Sequence, residues 1–219
     1  MNVLVVAAHP DDEVLGCGAT IYKHVSNGDS VSVCVLADGE GSRGVPPSEN
    51  KRLAQFAKAM LLLGVKHFET CALEDQRLET YGMPLLSQRV SAFVNHMPAD
   101  PEVVYTHWRG DLNWDHRLTA EAVLLATRFE KLPSVRSVFG FEVPESTSLG
   151  DPAFRPSAYV SLTEMHLLKK KASLSCYEGE RRNPPHARSE PNILSQAVVR
   201  GAECGRHYAE AFHVYKDIR

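Results

Sequence analysis

Short apolar runs alternate along this chain with segments whose apolar residues recur every three or four positions. Residues 2–7 form a continuous run rich in β-branched residues, which is typical of a strand buried on both faces of a parallel sheet. Apolar positions with helical spacing follow between residues 14 and 25, and Asn27 and Gly28 supply a stop signal. This order predicts a strand, a tight turn and a helix.

The same alternation continues through most of the sequence. It predicts strands near residues 31–36, 66–72, 103–106 and 135–141, and helices near residues 53–64, 84–97, 118–129, 163–174 and 190–203. Irregular segments are predicted at 142–155 and 177–191, where prolines and charged residues cluster. Strands that alternate with helices indicate an α/β fold with a mainly parallel sheet, and we expect residues 1–219 to form a single domain.

Composition narrows the classes of function. With 219 residues, 43% of them hydrophobic, the chain can bury a core without disulfide or metal support. The formal charge of -3 offers no basic excess for a nucleic-acid partner. The amino-terminal residues lack the basic region of a signal peptide and a membrane span, so we expect a cytoplasmic protein. The five cysteines are scattered without a C-x-x-C pair, which argues against a disulfide framework and a thiolate zinc site.

The turn after the first strand concentrates candidate chemistry. Residues 8–13 read Ala-His-Pro-Asp-Asp-Glu, at the strand end where open α/β sheets bind ligands. Helix capping accounts for one acid, and Glu13 suits the first turn of the helix. Two adjacent carboxylates beside an imidazole favour a divalent cation, because like charges held together either raise a pKa or require a cation. His9 and Asp12 are the candidate ligands here, and Asp11 stays free.

A second turn, residues 106–117, follows the fourth strand and opens on the same edge of the sheet. A catalytic zinc site takes three protein ligands and leaves a fourth position for water. His107 and His116 are both candidates for the third ligand. Asp115, next to His116, is placed to orient a ligand from the second shell of contacts.

These two motifs resemble those of a known family. Residues 8–13 are similar to the AHPDDE signature of the LmbE-like/PIG-L family of zinc-dependent N-acetylglucosaminyl deacetylases, and residues 111–117, Asp-Leu-Asn-Trp-Asp-His-Arg, resemble its second motif. Residues 200–201 and 208–212 extend the resemblance towards the end of the chain. It implies a Rossmann-like three-layer sandwich and a hydrolase that removes an acyl group, most often acetyl, from an amino-sugar-containing small molecule.

Carried over by position, the resemblance implies that His9, Asp12 and His116 bind one Zn²⁺ per chain, with other divalent metals as alternatives. It makes Asp11 the general base. The family often has a histidine three residues before the last ligand, where this chain has Asn113. We therefore expect Asn113 or His107 to stabilise the oxyanion, and Asp115 to orient an imidazole or a water molecule.

Loop residues on the same edge are candidates for substrate binding, since polar side chains suit a hydroxyl-rich ligand. They are Arg43, within the glycine-rich stretch 38–44, together with Arg109, Asp111 and His186, the last lying close to Arg188. The expected partner is an N-acylated amino sugar or glycoside, with neither nucleic acid nor a membrane span. A homo-oligomer is compatible with the sequence.

Other classes of protein fit part of this pattern. Two histidines and a carboxylate also describe a non-haem Fe(II) site, although the predicted fold disfavours that chemistry. A phosphate-receiving module would use paired acids for magnesium, but it leaves His9 and His116 without a role. A non-catalytic sugar- or metal-binding module is a further alternative.

Overall fold

A computed structural model describes residues 1–41, 51–180 and 182–218 of the chain. The strands are β1 (Asn2–Ala7), β2 (Ser30–Ala37), β3 (His67–Leu73), β4 (Val103–His107), β5 (Ser137–Phe141), β6 (Ala158–Leu162) and β7 (Tyr208–Asp217). The helices are α1 (Asp12–Ser26), α2 (Lys51–Leu63), α3 (Gly82–Asn95), α4 (Trp114–Ala126), α5 (Glu164–Leu174) and α6 (Glu190–Glu203).

One sheet of seven strands organises these elements, in the order β3-β2-β1-β4-β5-β7-β6. Strands β1 to β5 pair in parallel, whereas β7 pairs antiparallel with both β5 and β6. The strand order reverses beside β1, so the carboxyl ends of β1 and β4 form the crevice where such sheets bind ligands. The predicted α/β class with a mainly parallel sheet is confirmed.

Helices cover both faces of the sheet because its central strands are apolar on both sides. Val3 and Val5 of β1 pack in a cluster with residues of α1, α2, α5 and α6, while Leu4 and Val6 pack in another with residues of α3 and α4. All four of these side chains are fully buried. This continuous burial explains why the first strand reads as an unbroken apolar run.

The antiparallel edge is absent from the strands that the sequence predicts. Strand β6 lies just beyond the predicted loop 142–155, and β7 follows the last helix. In β6 the first four residues are half-buried and only Leu162 is buried, so neither a continuous apolar run nor a clean alternation marks it. Strand β7 pairs with β5, and β6 pairs with β7, so these two strands form through long-range pairing rather than through a local pattern.

Helix α1, which carries Asp12, is bent at Cys17, where the backbone leaves helical geometry (φ -144°, ψ 24°). The bend frees the amides of Ala19 and Thr20, which donate to the two carboxylate oxygens of Glu210 at 3.2 and 2.7 Å. Lys170 bridges Glu210 and the Leu15 carbonyl, at 2.6 and 2.7 Å. Strand β7 thus stabilises the bend in the helix that begins at the site.

At Gly16, beside the bend, α1 lies against β5. A Cβ atom there would lie 2.2 Å from the Phe141 ring, so no larger residue fits without a shift of the packing. Within the described residues, no helix is both long and apolar enough to cross a bilayer.

Candidate metal centre

Two turns meet at the carboxyl ends of β1 and β4, as the sequence predicts for parallel neighbours. The first runs from β1 into α1, and the second runs from β4 into α4. Asn113 fixes the start of α4, because its Oδ1 accepts the Asp115 amide at 2.9 Å. This cap starts α4 at Trp114, earlier than the predicted residue 118, and places His116 in its first turn.

His9, Asp12 and His116 converge on one point. Asp12 Oδ2 lies 3.1 Å from His9 Nδ1 and 3.1 Å from His116 Nε2, and all three residues are buried. The ligand atoms of the three residues lie within 4.8 Å of one another. Apart from its contact with Asp12, His116 Nε2 is buried without a hydrogen-bond partner in the described structure. Two imidazole nitrogens and one carboxylate oxygen fit the donor set of a catalytic zinc ion.

A carboxylate lies behind each of the two imidazoles. Asp115 Oδ2 is 3.0 Å from His9 Nε2, and Asp111 Oδ1 is 3.2 Å from His116 Nδ1. A carboxylate in this position holds the proton on the outer ring nitrogen and turns the other nitrogen towards the metal. His9 Nδ1 and His116 Nε2 are therefore the nitrogens directed at Asp12.

The electrostatics of this group favour positive charge beside Asp12. Burial opposes charge on Asp12, but the charge and hydrogen bond of His116 keep the Asp12 pKa well below its usual value. Burial lowers the His9 pKa, yet hydrogen bonds with Asp115 and Asp12 outweigh it and raise that pKa to about 10. The positive charge of a protonated His9 thus offsets the negative charge of the carboxylates beside it.

Asp11 precedes Asp12 but faces a different environment. Its backbone adopts φ 118°, a conformation that residues other than glycine rarely adopt. Its Oδ2 lies 3.2 Å from Arg52 Nη2 and 3.9 Å from Arg188 Nη1. Burial and the charge of Asp12 raise the pKa of Asp11 to about 6 against the opposing effect of the two arginines. A carboxyl with this pKa can accept and return a proton near neutrality.

Glu13 stabilises the backbone conformation of Asp11 through a hydrogen bond. Its Oε2 accepts the Asp11 amide at 3.0 Å, and its other oxygen accepts the Tyr177 hydroxyl. Burial raises the Glu13 pKa to about 8. Glu13 is fully buried and is not part of the group around Asp12, in line with its expected place in the first helical turn.

Asn113 and His107 are alternative candidates for stabilising the oxyanion, and the structure gives the two side chains different surroundings. The half-buried Asn113 directs Nδ2 at Gln76 Oε1, 3.4 Å away, and Gln76 Nε2 lies 3.2 Å from His9 Nε2. His107 is fully buried and stacks on His116, with ring centroids 4.0 Å apart. Its Nε2 accepts the Ala8 amide at 2.9 Å, so His107 packs between β1 and His116.

Asp111 also differs from its expected role in substrate binding. It is 1% exposed, and besides His116 it contacts Ser146, Thr147 and the Asn113 amide. With its oxygens engaged by these groups, it orients His116 and has no surface to offer a sugar.

The other expected substrate contacts are spread over the surface. Arg109 is 57% exposed at its side chain and pairs with Glu121 on α4 at 3.7 Å. His186 lies 3.5 Å from Glu145, which also approaches Arg188 Nε at 3.7 Å. Of these residues the structure brings Arg188 to Asp11. Arg43 lies outside the described residues.

Three residues near the site were not expected from the sequence: Arg52, Asp75 and Tyr177. Asp75 Oδ1 lies 3.2 Å from His9 Nε2 and, with Asp115, flanks that nitrogen. Arg52 also donates to the Pro10 carbonyl at 2.7 Å. These contacts span more than 40 positions along the chain, and no local spacing marks them.

A cavity of about 460 Å³ adjoins Asp11. Residues of α1, α5 and α6 line it together with Glu180, Arg182, Asn183, Pro184 and Arg188 from the connection between α5 and α6. Described residues of the predicted irregular segment 177–191 thus contribute to the wall of the cavity.

Comparisons with known proteins agree with the motifs. The family model for PIG-L, described as GlcNAc-PI de-N-acetylase, matches residues 4–127. A protein of Escherichia coli (strain K12) described as the uncharacterized deacetylase YaiS is 28% identical over 79% of this chain and 88% of its own length. Diacetylchitobiose deacetylase of Thermococcus kodakarensis is 25% identical over 99% of this chain and 84% of its length.

A solved structure shares the fold of this chain. The N,N'-diacetylchitobiose deacetylase of Pyrococcus horikoshii, complexed with its inhibitor MPG, superposes with a TM-score of 0.78 at 21% identity, over 98% of this chain and 84% of that one. At this identity the likeness describes the architecture alone.

Proposed function

This chain belongs to the PIG-L (LmbE-like) family, and on that premise we propose that it is a zinc-dependent hydrolase that removes the N-acetyl group of an amino-sugar-containing small molecule. Residues 1–219 would act as one catalytic domain. The acetyl group and the sugar are supported by the relatives, which are described as deacetylases and include a diacetylchitobiose deacetylase.

The observation that carries the proposal is that the neighbouring residues Asp11 and Asp12 have different surroundings. Asp12 Oδ2 lies 3.1 Å from each of the two histidine nitrogens directed at it, which supports His9, Asp12 and His116 as the ligands of Zn²⁺. Asp11 is held by Arg52 outside that group and supports the assignment of a general base. Hydrolysis of an amide needs both parts, an activated water and a group that moves protons.

When bound, zinc lowers the pKa of a coordinated water towards about 7 and polarises the amide carbonyl. The residues of the chain then perform the proton transfers. Asp11 accepts the proton of the attacking water as the new C–O bond forms. It returns that proton to the amine nitrogen as the C–N bond breaks, which releases acetate and the free amino sugar.

Other side chains would prepare these steps. Asp111 and Asp115 hold the protons on the outer nitrogens of His116 and His9, which keeps the inner nitrogens free for the metal. The Asn113 amide is the candidate donor to the developing oxyanion, through a rotation away from Gln76. Arg52 orients the Asp11 carboxylate at 3.2 Å.

The test is acetate release from N-acetylglucosamine, diacetylchitobiose and simple N-acetylglucosaminides. We expect release by the zinc-loaded protein, loss of release after chelator treatment, and recovery on addition of zinc. Elemental analysis of protein purified without chelators separates this proposal from the Fe(II) alternative. Chelator-insensitive release would contradict the proposed chemistry, and a metal-loaded protein that releases no acetate from any of these compounds would contradict the reaction.

A further inference from the structure

Two of the five cysteines meet on neighbouring strands of the sheet. Cys34 lies on β2 and Cys71 on β3, and their Sγ atoms are 3.8 Å apart. Both thiols are free. In the register of the two strands Cys34 pairs with Glu69, so Cys71, two positions later, lies on the same face of the sheet as Cys34. Neither thiol has a role in the reaction proposed above.

The two thiols differ in exposure and in acidity. Cys34 is fully buried, whereas Cys71 is half-buried on the outermost strand. The hydrogen bond that Cys71 accepts from Cys34 lowers the pKa of Cys71, against the effect of burial and with support from the charge of Arg89. The same hydrogen bond, together with burial, raises the pKa of Cys34. Because the thiolate is the nucleophilic form, Cys71 is the member of the pair that reacts first.

Strand β3 has the freedom that a bond between the two sulfur atoms requires. Among the described strands it pairs with β2 alone. The register shifts between Val35 and Ala37, where β3 carries one more residue than β2, and Ala72 in this bulge has φ 50°. A disulfide brings its sulfur atoms to about 2.05 Å. A movement of the bulged edge strand towards β2 closes the remaining gap.

We propose that Cys34 and Cys71 form a reversible oxidation site, at which hydrogen peroxide converts the two thiols into a disulfide that joins β3 to β2. The Cys71 thiolate attacks one peroxide oxygen, so that an S–O bond forms, the O–O bond breaks and the other oxygen leaves as water. Cys34 then loses its proton and attacks the sulfenic sulfur of Cys71. The S–S bond forms as the S–O bond breaks, which releases a second water molecule.

This sequence of steps balances without any further reactant. The two sulfur atoms together give up two electrons, and these electrons reduce the peroxide. The two thiol protons end in the two water molecules. An external thiol such as dithiothreitol reverses the oxidation by attack on the disulfide.

Peptide mapping tests the bond in the folded protein. The parent is treated with a few equivalents of hydrogen peroxide, its remaining thiols are alkylated, and it is digested with trypsin. Cleavage after lysine and arginine places Cys34 in residues 24–43 and Cys71 in residues 67–77, apart from every other cysteine. We expect these two peptides to be joined, and to separate after treatment with dithiothreitol. Absence of the joined pair, or its formation only in denaturant, would overturn the proposal.

Two serine variants separate the roles of the thiols. In Cys34→Ser the sulfenic acid of Cys71 has no thiol beside it, so we expect dimedone to label Cys71 after peroxide treatment. In Cys71→Ser we expect Cys34 to stay unlabelled, because this thiol is fully buried. Circular dichroism verifies that both variants are folded. Labelling of Cys34 in Cys71→Ser as fast as that of Cys71 in Cys34→Ser would overturn the assignment of Cys71 as the reacting thiol.

Cys204 provides a matched control in the same molecule. It is half-buried, as Cys71 is, but its Sγ contacts the Gly201 carbonyl, at 3.4 Å, instead of a second sulfur. We expect peroxide to consume the Cys71 thiol at least about 10-fold faster than the Cys204 thiol, measured by alkylation over time. Equal rates would show that exposure alone governs oxidation. None of these measurements uses deacetylation, so their outcome is independent of the proposed function.

Discussion

Asp11 and Asp12 are adjacent in the chain and alike in chemistry, yet the structure gives them opposite surroundings. Asp12 faces two imidazoles, and the charge of His116 helps to keep its pKa low despite burial. Asp11 faces Arg52 and Arg188 beside a cavity, and burial together with the charge of Asp12 raises its pKa to about 6. One turn of backbone therefore supplies both the carboxylate that we propose as a metal ligand and a carboxyl whose pKa lies near neutrality. Surroundings, rather than residue type, divide the two roles.

The largest expected effect comes from removal of the ionised member of the pair. Asp12→Ala takes away the oxygen that both histidine nitrogens face at 3.1 Å. We expect bound metal to fall to background and deacetylation to become undetectable, because two ligands no longer complete the set. Metal content after dialysis and acetate release measure this. A variant that keeps one zinc per chain would break the assignment of Asp12 as a ligand.

Asp11→Asn tests the second member of the pair, the proposed general base. The amide keeps the shape of the carboxylate but cannot accept a proton, so turnover should fall by about 10²–10⁴-fold while zinc stays bound. Asp11→Glu is the matched variant, since it keeps a carboxylate but places it one methylene group farther from the backbone. Parent-like turnover in Asp11→Asn would show that the base lies elsewhere.

The carboxylates behind the histidines should give a smaller effect. Asp111→Asn and Asp115→Asn each remove the group that holds a proton on the outer ring nitrogen, at 3.2 and 3.0 Å. We expect zinc affinity to weaken by about 10–100-fold in each, measured by competition with a chelator. Glu121→Gln on α4, whose side chain is 45% exposed, is the control and should bind zinc as the parent does. Parent-like affinity in both carboxylate variants would contradict this support.

The smallest expected effect is a shift in pH dependence. Asp11 works as a base only when ionised, so kcat/KM should fall as the pH drops through its pKa. Arg52 lowers that pKa by its charge, and Arg52→Gln should therefore move the acid limb of the profile to higher pH. Lys51→Gln, at an exposed neighbour, should leave the limb in place. A limb that moves to lower pH in Arg52→Gln would exclude Asp11 as its origin.

The sequence predicts the parts of this molecule that local patterns encode. Buried parallel strands such as β1 read as apolar runs, and the motifs after β1 and β4 identify the turns that meet at the site. Strand β6 escapes prediction because its residues are half-buried and depend on pairing with β7.

Within the site, the limit of prediction is long-range contact. The spacing of His9, Asp12 and His116 carries the ligand hypothesis, but nothing local shows that Arg52 reaches Asp11 or that Tyr177 reaches Glu13. Asp111 and His107 illustrate the same limit, because their polarity suggests contact with substrate while their burial places them behind His116. Which side of a turn a side chain takes is decided by packing that the local pattern does not contain.

The bond between Glu210 and the bent helix α1 has a consequence for the order in which the protein matures. The metal-facing residues all lie before position 117, yet the amides of Ala19 and Thr20 find their acceptor only at position 210. During synthesis the amino-terminal half emerges first, before Glu210, the acceptor of those two amides, has been made. The hydrogen bonds at the bend of helix α1 are therefore completed late, when strand β7 has left the ribosome and docked beside β5.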